Sequence, residues 1–548
     1  MKILACIPAR GGSKRIPRKN VRLLCGIPLI LYSVKNALRL SEVFDMDICV
    51  STDDEELAGI VEGRGGKTEV IMREAALAAD DITLDPVIYD SLCKMEARHG
   101  VTYDVVITLQ ATSPTLKYET IVSAIRYFEK DGFDTVISVV NRPHLSWTMR
   151  DGRIEKNYEV RLNSQLLPPC YLETGGFLIT KRSEVSVDSR IGENVSVYET
   201  PADEAVDIDT YEDWLSAESI LRKKKILLYT VGKRKLGMGH IYRCLSLAYK
   251  LMGHDLLFVL DESSDMGIER LKESFFPYRV IKTESDLVKV IQEFEPDIII
   301  NDVLDTATEL IRMEKKHGAR IVNFEDQGEG SRLADVVINA LYEEHAADRS
   351  NIYEGSEYYF IRDEFLEQSP KEFSEECRNV LIIFGGSDPS DLTGRLYKLC
   401  LQLHEDMPGV SFDFLTGFGY DKKDQVVSVP EKNVFVHNDV KRVSNYMRKA
   451  DIAITSQGRT IYELASLGVP AIVLAQNERE ALHVFAGIQN GFINLGLGKN
   501  ADDSTIVKTV KWLADTPNVR KQMRSAELSR EFALGQKRVI DLILKQDK

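Results

Sequence analysis

The sequence predicts an α/β protein of doubly wound parallel sheets in three regions, and three observations carry that prediction. Short apolar strands recur along the chain, each followed by a helical stretch, and parallel strands need such crossovers. Both halves open alike, KILACIPARGG and KILLYTVGKRKLGMGH, as an apolar strand running into a glycine- and Lys/Arg-rich loop and then a helix. A third glycine-rich opening, FGGSDPSD, follows the charged seam EFLEQSPKEFSEECRNV. At roughly one domain per 150 residues, 548 residues hold about three to four units.

In chain order, KILACIP is the first strand and LILYSVKNAL the first amphipathic helix. MDICVSTD, YDVVITLQ and FDTVISVV continue the first sheet, and the irregular stretch 141–172 (NRPHLSWTMRDGRIEKNYEVRL and beyond) reads as an excursion from it. The helix TYEDWLSAE runs to Arg222-Lys223-Lys224-Lys225, a bridge too polar for an internal core strand, which predicts a boundary near 222. The next region has KILLYT, the helix IYRCLSLAYKLM, and the strands HDLLFVLDE, PDIIINDV and ARIVNFED. The last has NVLIIFGG, VSFDFLTG, ADIAITSQG and VPAIVLAQ. The expected domains are 1–222, 223–375 and 376–548.

Composition excludes several classes. With 44% hydrophobic and 28% charged residues the chain is globular and not disordered. Lys and Arg number 70 against 85 Asp and Glu, a net charge of −15, so no general nucleic-acid or membrane-surface partner is expected. No pair among the eight cysteines has metal-ligand or redox spacing, which predicts reduced thiols. The amino terminus places apolar residues before basic ones, the reverse of a signal peptide, and no apolar run reaches the length of a membrane span. A cytoplasmic protein is expected.

In the first loop, ARGGSKRIPRKN, Gly11 and Gly12 let backbone N–H groups approach a ligand. Arg10, Lys14, Arg15, Arg18 and Lys19 supply cations within ten residues, a combination suited to a polyphosphate. The Walker spacing is absent. Further on, Asp207 and Asp209 in VDIDT stand at i and i+2, which on a strand end would aim both carboxylates one way. Mg²⁺ takes one or two carboxylates plus phosphate oxygens.

ARGGSKRIPRKN, VSTD (50–53), RE-AALAADD (73–81), LQATSP (109–114), ETGGF (173–177) and VDIDT (206–210) occur in an order that resembles the acylneuraminate cytidylyltransferases, the CMP-sialic acid synthetases. The resemblance covers about 1–220 and implies a doubly wound nucleotidyltransferase domain. The implied reaction joins CTP to the anomeric hydroxyl of a nine-carbon 2-keto acid sugar, with release of pyrophosphate. By position, Arg10 and Lys19 would hold the triphosphate and act at the α-phosphate, Asn20 and Arg73 would place the nucleotide, and Gln110 would face the sugar. Asp207 and Asp209 would hold Mg²⁺. The sugar side departs from the family, since the basic residues expected after LQATSP and near His144 are absent, and Lys117 or Arg161 would have to meet the sugar carboxylate. The resemblance also implies a homodimer formed through 141–172.

In the second loop, LGMGHIYRC, Gly237 and Gly239 lead into His240 at a helix start, with Arg243 one turn on. Free N–H groups and the positive dipole end suit phosphate there, and favour a neutral imidazole able to act as a base. FGGSDPSD (384–391) and SQGRTIYELASLGVPAIVLAQNERE (456–480) resemble the nucleotide half of the two-domain GT-B fold. With GMGH in front and YYFIRDEF between, the region 225–500 resembles the UDP-sugar hydrolase of pseudaminic acid biosynthesis. That resemblance implies a two-subdomain GT-B-like region with His240 as the base that activates water. Gly239 and Arg243 would stand at the phosphates, and Gly385, Gly386, Ser387, Asp388, Ser456, Gly458 and Glu463 would line the UDP site. Asn301-Asp302 and Glu325-Asp326 are strand-end carboxylate candidates. The whole reads as a bifunctional enzyme of nonulosonic acid biosynthesis acting on CTP, a nonulosonic acid sugar and a UDP-sugar. The alternatives for the C-terminal part are a UDP-sugar-binding or regulatory module and a true glycosyltransferase.

Overall fold

The computed structural model describes residues 1–63, 67–79, 81–233, 237–343 and 349–545. Asp80 of AALAADD and residues 234–236 of the second glycine loop lie outside them. The chain divides into two compact units, Met1–Lys223 and Lys224–Lys548.

The first unit is one seven-stranded sheet. Ile3–Pro8, buried along its length, lies between Met46–Thr52 and Val105–Leu109 and is parallel to both. Thr68–Met72 extends one side, and Tyr171–Lys181, Thr135–Asn141 and Val195–Glu199 extend the other. The expected all-parallel sheet is therefore corrected: Tyr171–Lys181 runs antiparallel to both neighbours. Its register shifts between Glu173 and Leu178, where Gly175 takes a left-handed φ of +68°. The bulge interrupts the period-2 pattern that would have announced a strand. The excursion carries a two-stranded hairpin, Trp147–Arg150 with Arg153–Lys156.

The second unit holds two fully parallel sheets. The first has the spatial order Tyr278–Ile281, Asp255–Asp261, Lys225–Thr230, Ile298–Asp302, Arg320–Phe324, Val336–Asn339, Ile352–Glu354. The second runs Val434–Asn438, Ser411–Thr416, Asn379–Ile383, Ile452–Thr455, Ala471–Ala475, Phe492–Leu497. Each begins 3-2-1-4-5-6 in its own chain order, the dinucleotide-fold winding. Lys225, read as part of a polar bridge, is the first residue of a central strand, with its backbone N–H on Asp297.

The region 376–548 is not closed on itself. Its last helix, Phe532–Leu544, returns to the first of these two sheets, where Val539 and Ile543 join the core of Ile226, Phe258 and Phe360. The helix is amphipathic with apolar residues at 3–4 spacing, so its buried face needs a partner, and the second sheet is already covered. Among the described residues no helix is long and apolar enough to cross a membrane, and the eight cysteines are free thiols.

Two expectations follow. Chains 1–223 and 224–548, expressed apart, should each give a cooperative thermal melt, since each encloses its own core; an unfolded fragment beside a folded full chain would refute this. Ending the second chain at 531 strips two fully buried aliphatic side chains from the first sheet's core, a loss of about 3–6 kcal/mol in urea unfolding.

Candidate functional site

In the first unit the loop after Ile3–Pro8 is held open by its neighbours. Gly11 N–H donates to Asp53 Oδ1 (2.9 Å), and a Cβ at Gly11 would fall 2.4 Å from Asp54 Oδ2, so only glycine fits. Gly12 has open space. Lys19, nearly buried, donates from Nζ to Ile208 O and to Asp209 Oδ1 (3.2 Å), and Arg15 donates to Asp209 Oδ2 (3.2 Å). Arg18 turns away to Glu56. Asn20 Nδ2 donates to Arg10 O (2.9 Å), while its buried Oδ1 has no hydrogen-bond partner. Arg73 is fixed by Ser51, through Nε to Oγ (3.0 Å) and Nη2 to the carbonyl (2.7 Å), and the charges of Asp53 and Arg10 act on it.

Asp207 and Asp209 lie in an extended segment and not on a strand, ahead of the helix Tyr211–Leu221. That helix is capped by Thr210 and Asp213, which leaves the Asp209 carboxylate for the two cations. Asp207 is mostly buried, and its Oδ1 has no partner. Burial raises its pKa above the usual carboxylate range, against a hydrogen bond from Thr112 and the charge of Lys19. A Cβ at Gly175 would meet Asp207 Oδ2 and both Gln110 amide atoms at 3.2 Å, so that glycine brings Gln110 beside the carboxylate. An orphaned carboxylate oxygen next to a second carboxylate is a fitting donor set for Mg²⁺.

On the sugar side Lys117 is tied to Asp203 (3.5 Å) and Glu204 (3.4 Å), and does not supply a free cation. Arg161 lies exposed on the excursion. Ser113, inside LQATSP, and Thr115, just after it, received no role from the sequence; their buried hydroxyls have no hydrogen-bond partner.

In the second unit His240 and Arg243 share one face of the helix Gly239–Lys250 and both reach Asp302, at the end of Ile298–Asp302. His240 Nδ1 lies 2.5 Å from Asp302 Oδ1. Arg243 donates to both Asp302 oxygens and from Nη1 to Glu325 Oε1 (3.0 Å), and stacks over Phe324. Burial alone would raise Asp302, but the charges of Arg243 and His240 hold it well below the carboxylate range. In a neutral imidazole, a carboxylate at Nδ1 favours the Nδ1–H tautomer, whose Nε2 carries the lone pair. Asp302, one of the strand-end carboxylate candidates, thus orients the ring. Arg243 is 3% exposed and occupied, so its expected role at the phosphates is corrected to that of positioning Asp302.

The two sheets' glycine loops meet. A Cβ at Gly386 would be 3.7 Å from Met238 Cβ, one at Gly237 3.7 Å from Ser387 Oγ, and one at Gly239 3.2 Å from Arg459 Cδ. Gly385, with φ +77°, turns the second loop, and Gly417 packs against Gly386. Ser456 is buried beside Gly458, which faces Glu480. Burial pushes Glu480 up to about 7. Two expected nucleotide ligands are otherwise engaged. Asp388 accepts the N–H groups of Leu392 (3.1 Å) and Thr393 (2.7 Å) at a helix start. Glu463, buried, accepts from Arg362 Nε (2.9 Å) and Nη2 (2.8 Å). In both cases local sequence could not show that burial and a partner had claimed the carboxylate.

Fold and site define an α/β protein in which each unit sets glycine loops at the carboxyl ends of parallel strands. Residues 4–160 match the Cytidylyltransferase family. The CMP-N,N'-diacetyllegionaminic acid synthase of Legionella pneumophila is 33% identical over 239 residues, 40% of this chain and 97% of that protein. The chain belongs to the cytidylyltransferase family through its first unit. Uncharacterized protein MJ1062 of Methanocaldococcus jannaschii is 28% identical over 275 residues, 46% of this chain; the chain spans 56% of that relative's length. The second unit holds two doubly wound parallel sheets whose glycine loops meet. Acinetobacter baumannii MurG aligns over 59% of this chain and all of its own at 15% identity, with a TM-score of 0.44.

Beneath Asp302, Asn301 Nδ2 donates to Glu314 Oε2 (2.8 Å) and Asn323 Oδ1 (3.1 Å). Burial pushes Glu314 up to about 8. Between about pH 4 and that value the unfolded chain releases a proton that the folded chain keeps, so this group's contribution to stability falls as pH rises. Glu314→Gln keeps the acceptor and removes the titration. It should stabilise the fold by roughly 2–4 kcal/mol at pH 7 and by nothing at pH 4; urea melts showing a pH-independent difference would refute this.

Proposed function

We propose that the protein is a bifunctional enzyme of nonulosonic acid biosynthesis. In the first unit the sugar's anomeric oxygen attacks the α-phosphorus of CTP, the bond to the β-phosphate oxygen breaks, and pyrophosphate leaves. The observation that carries this reading is the convergence of Lys19 and Arg15 on Asp209 beside the unpaired oxygen of Asp207. Asp207 and Asp209 would hold Mg²⁺, which when bound supplies positive charge against the triphosphate. Arg10 and Lys19 face the phosphates, Asn20 offers its unpaired oxygen to the nucleotide, and Arg73 is held by Ser51 beside them. Gln110, Ser113 and Thr115 present polar groups to the sugar. The legionaminic acid synthase among its relatives supports a substrate of the nonulosonic class.

In the second unit the reading is hydrolysis of a UDP-sugar, the released product being a di-N-acetylated deoxy sugar. His240 Nε2 takes a proton from water, the water oxygen bonds to the sugar's anomeric carbon, and the carbon–oxygen bond to UDP breaks with its electron pair leaving on the UDP oxygen. The His240–Asp302 dyad supports a general base here. Where an acceptor hydroxyl replaces water, the same dyad serves a glycosyltransferase. A homodimer through 141–172 is supported by the apolar side chains that segment exposes, with Trp147 57%, Met149 68% and Leu166 66% accessible.

Mass spectrometry of reactions with CTP plus keto acid sugars, and with UDP-sugars, tests both activities. Asp209→Ala should lower CMP transfer at least about 10²-fold and leave UDP-sugar turnover unchanged. His240→Asn should lower UDP-sugar turnover about 10²–10⁴-fold with UDP affinity retained. Free sugar formed without an acceptor upholds hydrolysis; turnover only with an acceptor makes the second unit a glycosyltransferase, and none with either leaves a binding module. Sedimentation of chain 1–223 as a monomer would overturn the dimer.

A further inference from the structure

Arg459 was not among the residues the motifs singled out, yet it stands where the two sheets of the second unit meet. It immediately precedes the helix Thr460–Leu467, in the turn after Ile452–Thr455. Its stem crosses to the first sheet's loop and packs over Gly239, the residue before His240; a Cβ there would lie 3.2 Å from Arg459 Cδ. Its guanidinium is centred 5.2 Å over the ring of Tyr359, whose hydroxyl donates to Arg459's own carbonyl (3.1 Å). The side chain is thus held from two directions. The charge acts on Glu325 and Glu463, but their hydrogen bonds go to Arg243 and Arg362.

Among the described residues no acceptor bonds the Arg459 guanidinium. Compare Arg243, Arg362 and Arg479, the other arginines of this region, each of which has carboxylate partners. A half-buried guanidinium that has been positioned and left without an acceptor, between the N-terminal ends of two helices, suits an anion with several oxygens.

We infer that Arg459 binds the diphosphate of the nucleotide substrate and neutralises the leaving group. The inference rests on the UDP-sugar reading of this cleft. Arg459 carries charge to oxygens that gain it as the sugar–oxygen bond breaks, while His240 accepts the proton of water. A Cβ at Gly239 would press on the Arg459 stem at 3.2 Å, so glycine gives the arginine its closest approach there.

Calorimetric titration of the full chain with UDP, uridine and inorganic pyrophosphate tests it. In Arg459→Ala, UDP affinity should fall about 10–100-fold, the worth of a hydrogen-bonded charge pair, while uridine affinity is unchanged. Arg459→Lys, which keeps the charge and loses the planar fork, should fall between the two. A loss shared equally by UDP and uridine would show a packing role only, and unchanged UDP affinity in both variants would also overturn the inference. Should the wild type bind neither UDP nor uridine, the UDP-sugar reading fails separately. Pyrophosphate then decides: binding that Arg459→Ala abolishes keeps the anion role, and its absence in the wild type ends it.

Discussion

Everything placed in these clefts depends on one constraint of winding. A parallel strand cannot pair with its successor without a crossover, and in each of the three sheets the first strand in the chain is central. The chain first builds to one side of it and then returns to build the other. Where the two crossovers part, the carboxyl ends of the first and fourth strands border an uncovered crevice. In the first unit these are Ile3–Pro8 and Val105–Leu109, which deliver Gly11 and Gln110. In the second they are Lys225–Thr230 with Ile298–Asp302, and Asn379–Ile383 with Ile452–Thr455. Those pairs deliver His240 and Asp302, and Gly386 and Ser456. A glycine loop after each first strand lets the backbone enter the crevice.

Electrostatics then divides the sites. Around Asp209 the charges are partly solvated: Arg15 is well exposed, and the pairs can be exchanged for substrate oxygens at little cost. Around Asp302 the charges are buried, and an uncompensated one would be expensive, so the arrangement is fixed. Arg243 joins the ends of two neighbouring strands by binding Asp302 and Glu325 together. Its presence keeps Asp302 ionised, and an ionised Asp302 is what orients His240.

What was legible in the sequence follows the same division. Strand, glycine loop and helix are local, and each apolar run read as a strand forms one. The missed strands include Tyr278–Ile281 and Val434–Asn438, at sheet edges with part of their side chains in solvent, so no continuous apolar run marks them. Helical spacing put His240 and Arg243 on one face but could not say that the face turns toward Asp302, 59 residues beyond Arg243. Asp388 and Glu463 sit in recognisable motifs, yet their partners decide their roles. Arg459 carried no motif signal, since its meaning comes from Gly239 on the other sheet.

The two sheets of the second unit are joined by bonds of unequal strength. Arg479 reaches from the second sheet to both oxygens of Asp305 in the first (2.7 and 2.9 Å), but the side chains of the ion pair are 33% and 44% exposed. Such a pair contributes about 0–1 kcal/mol, so breaking it is cheap. The other links are apolar: residues 340–342 and 359–365 pack into the second sheet's core, and the final helix returns to the first. Separating those would expose buried aromatic and aliphatic surface at several kcal/mol. Separation of the two sheets is therefore resisted far more by the apolar links than by the pair Arg479 and Asp305.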